Sequence, residues 1–191
     1  NKPGKLSPPG KATDVIDGVP VTCIDMAMPM MVVQASQLGV TGSETPAELD
    51  ANHSLLKRLE ALRLKAGKAM GLGDVSGMVI PKPVLVSAPR YDGTLQVRYF
   101  MPHNCHRALA ITGAVGLATA CVSPGTVIAD LLGEDARQLT EVRLEHPSGG
   151  IDVALSRSGV DGKTTQVSVV RTARRLFSGF VYAPTLRRLA G

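Results

Sequence analysis

The stretch from Ala108 to Val122 (ALAITGAVGLATACV) limits the fold more than any other part of this chain. It contains no charged residue, and Ala110, Gly113, Ala114, Gly116, Ala118 and Ala120 keep its surface small on every face. Its length and helix formers predict a helix, and a helix that is apolar all round is buried on all sides. The small residues predict that sheet presses closely around it. Upstream, Arg98 to Met101 reads as the end of a strand that enters a polar knot, Pro102-His103-Asn104-Cys105-His106-Arg107. The start of a buried helix presents unpaired N–H groups and the positive end of a dipole. With His106 and Arg107 beside it, that start is a seat for an anion.

The elements around it follow in order. Residues 1–13 form an irregular lead-in with Pro3, Gly4, Pro8, Pro9 and Gly10, and 183–191 form a tail. Gly18 to Ile24 and Pro29 to Ala35 are strand-like, with Met26, Met28, Met30 and Met31 read as core filling. Thr45-Pro46-Ala47-Glu48 is a capping box with proline at the first helical position. Leu55, Leu59, Leu62, Ala66 and Met70 then repeat at helical spacing, while Lys57, Arg58, Glu60, Arg63 and Lys65 read as a solvated face. Gly71 and Gly73 stop the helix. Val84 to Ala88 and Thr94 to Met101 are strands joined across Asp92-Gly93. After the buried helix comes a short amphipathic piece, Val127 to Leu132. Four strand-like runs follow: Leu139 to Glu145, Ile151 to Ser156, Thr165 to Arg171 and Leu176 to Tyr182. Helices and strands do not alternate strictly, so the order predicts an α+β fold with a mainly antiparallel sheet wrapped around one buried central helix.

Composition narrows the function classes. The chain has 191 residues with 44% hydrophobic and 19% charged content, enough for a real core. The net charge of +5, no Trp and 3% aromatics argue against a nucleic-acid surface, which interleaves stacking rings with its cations. A modest basic balance suits an enzyme of anionic substrates. Cys23, Cys105 and Cys121 show no CxxC spacing, which predicts reduced thiols and a cytoplasmic setting. No apolar run reaches the roughly 18–20 residues of a membrane span.

The candidate site residues group in two turns. His103, Cys105 and His106 have a spacing that matches no common metal-ligand pattern, and no acidic partner is adjacent, so no metal is expected. A Cys–His nucleophile pair at Cys105 lacks a third, orienting group. The reading carried forward is anion binding at the helix start by His106 and Arg107; its bland counterpart is ordinary capping and packing. His146-Pro147-Ser148-Gly149-Gly150 is a tight turn whose N–H groups and hydroxyl can hold a carboxylate, or equally a plain surface hairpin. Arg171 follows a strand and suits bidentate carboxylate pairing, or a surface basic cluster.

The stretches MPHNCHRALAITGAVGLATACVSPG, EHPSGGIDV, VVRTARRLFSG, VTCIDMAMPMMVV and LGVTGSETPAELDAN resemble the family that contains 4-oxalomesaconate tautomerase and 2-methylaconitate isomerase. The resemblance runs from about Gly4 to Tyr182, and the PHNCH and AMP segments lean toward the tautomerase branch. It implies that 1–191 is one lobe, similar to the C-terminal half, of a two-lobed diaminopimelate epimerase-like fold, with the active site between lobes. In epimerases of that fold a catalytic Cys sits at the helix start; its positional match here is Thr112, which implies that this lobe binds substrate, through Thr112 and Gly113 together with His103, His106 and Arg107. No segment resembles the one that carries the catalytic Cys and Lys of the isomerases, so the catalytic residues are expected on an N-terminal lobe outside this sequence.

The implied activity is a cofactor-independent isomerisation of an unsaturated tricarboxylate. A C–H beside a C=C conjugated to a carbonyl is acidic enough to be removed. The dienolate so formed takes a proton at the far carbon, and the double bond moves. Helix N-termini, Arg and His can hold the carboxylates and the dienolate. The expected partners are the tricarboxylate substrate and the N-terminal lobe, with a homodimer left open and with neither nucleic acid nor membrane. The alternative reading is a non-catalytic small-acid-binding or accessory module on the same fold.

Overall fold

The computed structural model describes residues 12–157, 164–170 and 174–180. Eight strands form one sheet in sequence order: β1 (Asp14–Ile16), β2 (Val19–Asp25), β3 (Pro29–Gln34), β4 (Lys82–Ser87), β5 (Leu95–Tyr99), β6 (Glu141–His146), β7 (Gly149–Arg157) and β8 (Thr164–Val169). The β3–β4 and β5–β6 pairs are parallel and the others antiparallel. Each parallel pair spans a helical crossover, because strands running the same way cannot be joined by a hairpin. The first crossover carries α1 (Pro46–Ala51) and α2 (His53–Ala69). The second carries α3 (Ile111–Cys121) and α4 (Val127–Leu132).

The two crossovers lie on opposite faces of the sheet. Met30 and Val32 of β3 join the core around α3, whereas Met31 and Val33 join the core under α2. A strand buried on both faces reads as a continuous apolar run, which explains PMMVVQA. The expectation of a sheet around one buried helix is therefore corrected by a second helical layer on the outer face. On the inner face α3 packs against β2 and also against β6, β7 and β8, so the sheet curls around it. The methionines are core: Met30 and Met31 are buried, and Met26 and Met28 pack against the inner cluster.

Small residues are what let α3 sit so close. A Cβ at Gly116 would lie 2.6 Å from Met30 Cε and 3.3 Å from Ile24 Cγ2, and one at Gly113 would lie 3.0 Å from the Tyr99 ring. Gly116→Val is expected to cost about 1–3 kcal/mol by overpacking, read as a lowered thermal midpoint.

Four local readings change. The single long helix is broken at Asn52 (φ −84°, ψ 77°), whose side-chain oxygen accepts the Leu55 N–H at 3.1 Å and caps α2 afresh. A short side chain that bonds its own backbone ends one helix and starts another. The capping box at Thr45 and Glu48 forms as its residues dictate. Second, Arg63 is fully buried rather than solvated. Third, Asp17-Gly18 makes a hairpin turn, both residues at positive φ, which adds β1 to the edge. Fourth, 174–180 has no regular structure, and Leu176, Phe177 and Phe180 are exposed there. A strand needs a partner edge and a face to bury, and among the described residues that segment has neither. No helix of the described residues is long and apolar enough to cross a membrane.

Candidate active site

The polar knot is a loop that folds back on β5. Phe100 and Cys105 pair as an isolated bridge, and the His106 N–H donates to the Tyr99 carbonyl at 2.7 Å. The Cys105 N–H donates to Asp50 Oδ1 of α1 at 2.6 Å, so the loop is tied to the outer layer. Cys105 is buried in the outer cluster, and burial pushes its thiol up to about 11 despite Arg98 nearby. A thiol of that kind is a poor nucleophile at neutral pH. Burial likewise pushes Cys23 and Cys121 up to about 12.

The buried helix begins at Ile111, three residues later than the run of uncharged residues implies. Its N-cap is Ala110 (φ −68°, ψ 142°), and no side chain bonds the first-turn N–H groups. Those groups have no acceptor inside a helix. Ile111 and Thr112 are exposed, and Gly113 is buried against the Tyr99 ring. The His106 ring stands beside this turn with Nδ1 2.7 Å from the Ala108 carbonyl oxygen.

A cleft of about 310 Å³ opens at this helix start. Ala110, Thr112 and His106 form one side, and Tyr99 and Lys82 line it from β5 and β4. Met28, Ile80 and Met101 supply apolar wall. Burial pushes the Tyr99 hydroxyl up to about 12, so it remains a donor at any physiological pH. The rim is also apolar: Val79 and Ile111 are 56% and 46% exposed.

The second turn reaches the same loop. Parallel pairing of β5 with β6 carries the β6–β7 turn to the end of β5. There the Ser148 hydroxyl donates to the Arg107 carbonyl at 2.7 Å, and the Ser148 N–H donates to His146 Nδ1 at 3.2 Å. Ser148 thus fixes the loop that carries His106 and Arg107. His146 is half-buried, and burial lowers its pKa while the Arg107 carbonyl opposes the change. Its side chain faces a separate cleft of about 340 Å³ beside Arg98 and Arg143.

The residues singled out from sequence are therefore distributed unevenly. His106 and Thr112 line the helix-start cleft, Gly113 lies buried beneath it, and Arg107 is an exposed neighbour joined to Ser148. His146 belongs to the adjoining cleft. His103 is exposed and lies near Glu60 on the α2 side rather than in the cleft. Arg171 lies outside the described residues. No group of three or more His, Cys, Asp or Glu among the described residues could hold a metal ion. Sequence reading passed over Lys82 and Tyr99. Their signal was period-2 alternation: Lys82 shares the inward face of Val84 and Val86, and Tyr99 that of Leu95 and Val97.

Fold and site together define an α+β protein in which a sheet curls around a helix whose uncapped N-terminus opens into a small, largely apolar cleft with cations beside it. This chain belongs to the PrpF protein family, which it matches over residues 1–184. It is 55% identical over 183 residues to the Escherichia coli (strain K12) protein called "Putative isomerase YbhH", covering 96% of this chain and 52% of that one. It is 44% identical over 178 residues to 4-oxalomesaconate tautomerase of Pseudomonas putida, covering 93% of this chain and 49% of that enzyme. The crystal structure of a methylitaconate-delta-isomerase superposes with a TM-score of 0.78 at 27% identity, covering 93% of this chain and 51% of that one. The chain spans about half the length of the relatives it matches.

Proposed function

We propose that the full-length protein is an isomerase that moves a double bond in an unsaturated tricarboxylate by an allylic 1,3-proton shift, without a cofactor. This chain supplies the substrate-binding wall, and an N-terminal lobe supplies the proton-transfer groups. The observation that carries the reading is the uncapped start of α3, open to a cleft that His106 and Thr112 line. Backbone N–H groups at a helix start are preorganised for a carboxylate or for the negative charge of a dienolate. The apolar walls suit the carbon skeleton, and the apolar rim at Val79 and Ile111 is the surface against which the second lobe closes. The identity to 4-oxalomesaconate tautomerase and the PHNCH stretch favour that substrate over 2-methylaconitate. Buried, unpaired thiols accord with a reducing, cytoplasmic setting.

Turnover of 4-oxalomesaconate or 2-methylaconitate by the full-length protein tests the reading directly. Double-bond migration in one of them is the expected result, and turnover of neither overturns the substrate assignment. Within that assay, His106→Ala and Arg107→Ala are each expected to lower kcat/KM about tenfold or more, as loss of a charged hydrogen bond does. Parental kinetics in both variants would remove the two residues from the site.

A further inference from the structure

Lys82 is the residue whose surroundings demand an explanation. It is 4% exposed, and lysines are almost never buried to that degree unless paired. Among the described residues its one hydrogen-bond contact is Met101 Sδ at 3.2 Å, and it makes no ion pair. A thioether is a weak acceptor and cannot replace the water or carboxylate that an ammonium group needs.

Its place in the sheet is well determined. Lys82 opens β4 opposite Met30 of β3, on the face that Val84 and Val86 turn toward α3. It lines the same cleft as Ala110, Thr112 and His106. The groups that line the cleft with it carry no negative charge. Tyr99 faces it from β5 as a neutral phenol, and His106 stands across the cleft. Arg63 of α2 lies behind it, and the Glu60 carboxylate there is paired with Arg63 and makes no ion pair with Lys82. Burial lowers the Lys82 pKa, and Arg63 lowers it further. Two independent donors thus point into one small space with nothing anionic between them: a buried ammonium and an uncapped helix start.

We propose that Lys82 is the cation that pairs with a carboxylate of the substrate and holds it against the first turn of α3. This rests on the isomerase reading for the identity of the acid, but the pairing itself needs only a small carboxylate. Lys82 is then a binding residue, and the protein carries one more anion contact on this lobe than the polar knot and the β6–β7 turn account for. A bound carboxylate supplies the counter-charge that the empty cleft lacks, so it raises the lysine pKa and binding takes up a proton when the free amine is neutral. Affinity should therefore fall as pH rises through the alkaline range. Tyr99 titrates higher still and does not set that limit.

The test uses the full-length protein and two readouts. Binding of tricarballylate, a saturated tricarboxylate that cannot isomerise, is followed calorimetrically in the parent, Lys82→Met and Lys82→Arg, with thermal midpoints as the folding control. Steady-state kinetics on 4-oxalomesaconate follow in parallel. Lys82→Met should weaken tricarballylate binding and raise KM by about 10- to 100-fold with a smaller change in kcat. Lys82→Arg should keep most of the affinity and lose the alkaline limit, because guanidinium stays charged. Unchanged affinity in a folded Lys82→Met, or an alkaline limit retained in Lys82→Arg, overturns the proposal. A fall in kcat at constant KM overturns it too, by making the amine a proton carrier. If the parent binds tricarballylate through Lys82 but turns over neither substrate, the isomerase reading fails and the carboxylate pairing stands.

Discussion

Thr112→Asp is expected to leave the fold as stable as the parent, or slightly more so, while lowering kcat/KM of the full-length protein for the proposed isomerisation about 100-fold or more. Thr112 is exposed in the first turn of α3, where no side chain caps the helix. A carboxylate there meets the positive end of the helix dipole and contributes roughly 0.3–1 kcal/mol. It also occupies the proposed anion seat, adds repulsion toward a second carboxylate, and takes up the N–H groups that the proposed substrate would use. Fixed donors of this kind contribute about 3–4 kcal/mol to a transition state. The two effects have opposite signs, so the result separates a site from a structural position. Thermal melts give the first and initial rates the second. A parental kcat/KM would show that the α3 start does not receive the anion.

Arg63→Met is expected to destabilise the protein by about 3–5 kcal/mol, the range for breaking a buried charged network from one side. The Arg63 Nε and Nη2 donate to both oxygens of Glu60 at 2.7 Å, Nη1 donates to the Ile80 carbonyl at 2.7 Å, and Nη2 also donates to the Val75 carbonyl at 3.0 Å. Methionine fills much of the volume but leaves a carboxylate and two carbonyls without donors. Those carbonyls belong to the segment that leads into β4, so the wall of the cleft at Ile80 and Lys82 should loosen as well. The hydrogen bond from Arg63 is the main cause that holds the Glu60 carboxyl below its usual range, with burial opposing it. A depressed carboxylate stabilises the fold above its unfolded pKa, and that contribution is lost as pH falls through the folded value. The stability gap between parent and variant in urea titrations should therefore narrow on acidification. A gap that is constant with pH would mean that the pair contributes by packing alone.

Much of the local structure was legible in the residues because its causes are local. The capping box at Thr45 and the uncharged run that becomes α3 each depend on neighbours within a few positions, whereas the loop at Asp92-Gly93 does not: Gly93 is not at positive φ, and the Arg90, Tyr91 and Gly93 N–H groups all donate to Glu145, 52 to 55 positions away. The burial of that run followed from its lack of charge, and the close packing from its glycines. The break at Asn52 was missed because an asparagine side chain competes with the helix only when its backbone bends, and the hydrophobic repeat passes smoothly through it. Arg63 was misread for a related reason. Its helical position looks like one more member of a charged face, and only the segment 74–80, returning across α2, takes it out of water.

The site divides along the same line. His106 and the helix start could be named from order along the chain, because both lie within one loop and the turn after it, whereas Thr112 was named through the family resemblance. Joining that loop to Ser148 required β6 to pair parallel with β5, a contact between residues 41 positions apart in sequence. Lys82 comes from a third segment again, and what makes it notable is not its residue type but that, among the described residues, no oxygen accepts a hydrogen bond from its ammonium group. Patterns of charge and spacing decide which elements form and which faces they bury. Desolvation, and the company a charged group keeps once desolvated, are set only when distant segments meet. It was the tertiary structure that turned an ordinary lysine at the start of a strand into the buried cation facing the start of α3.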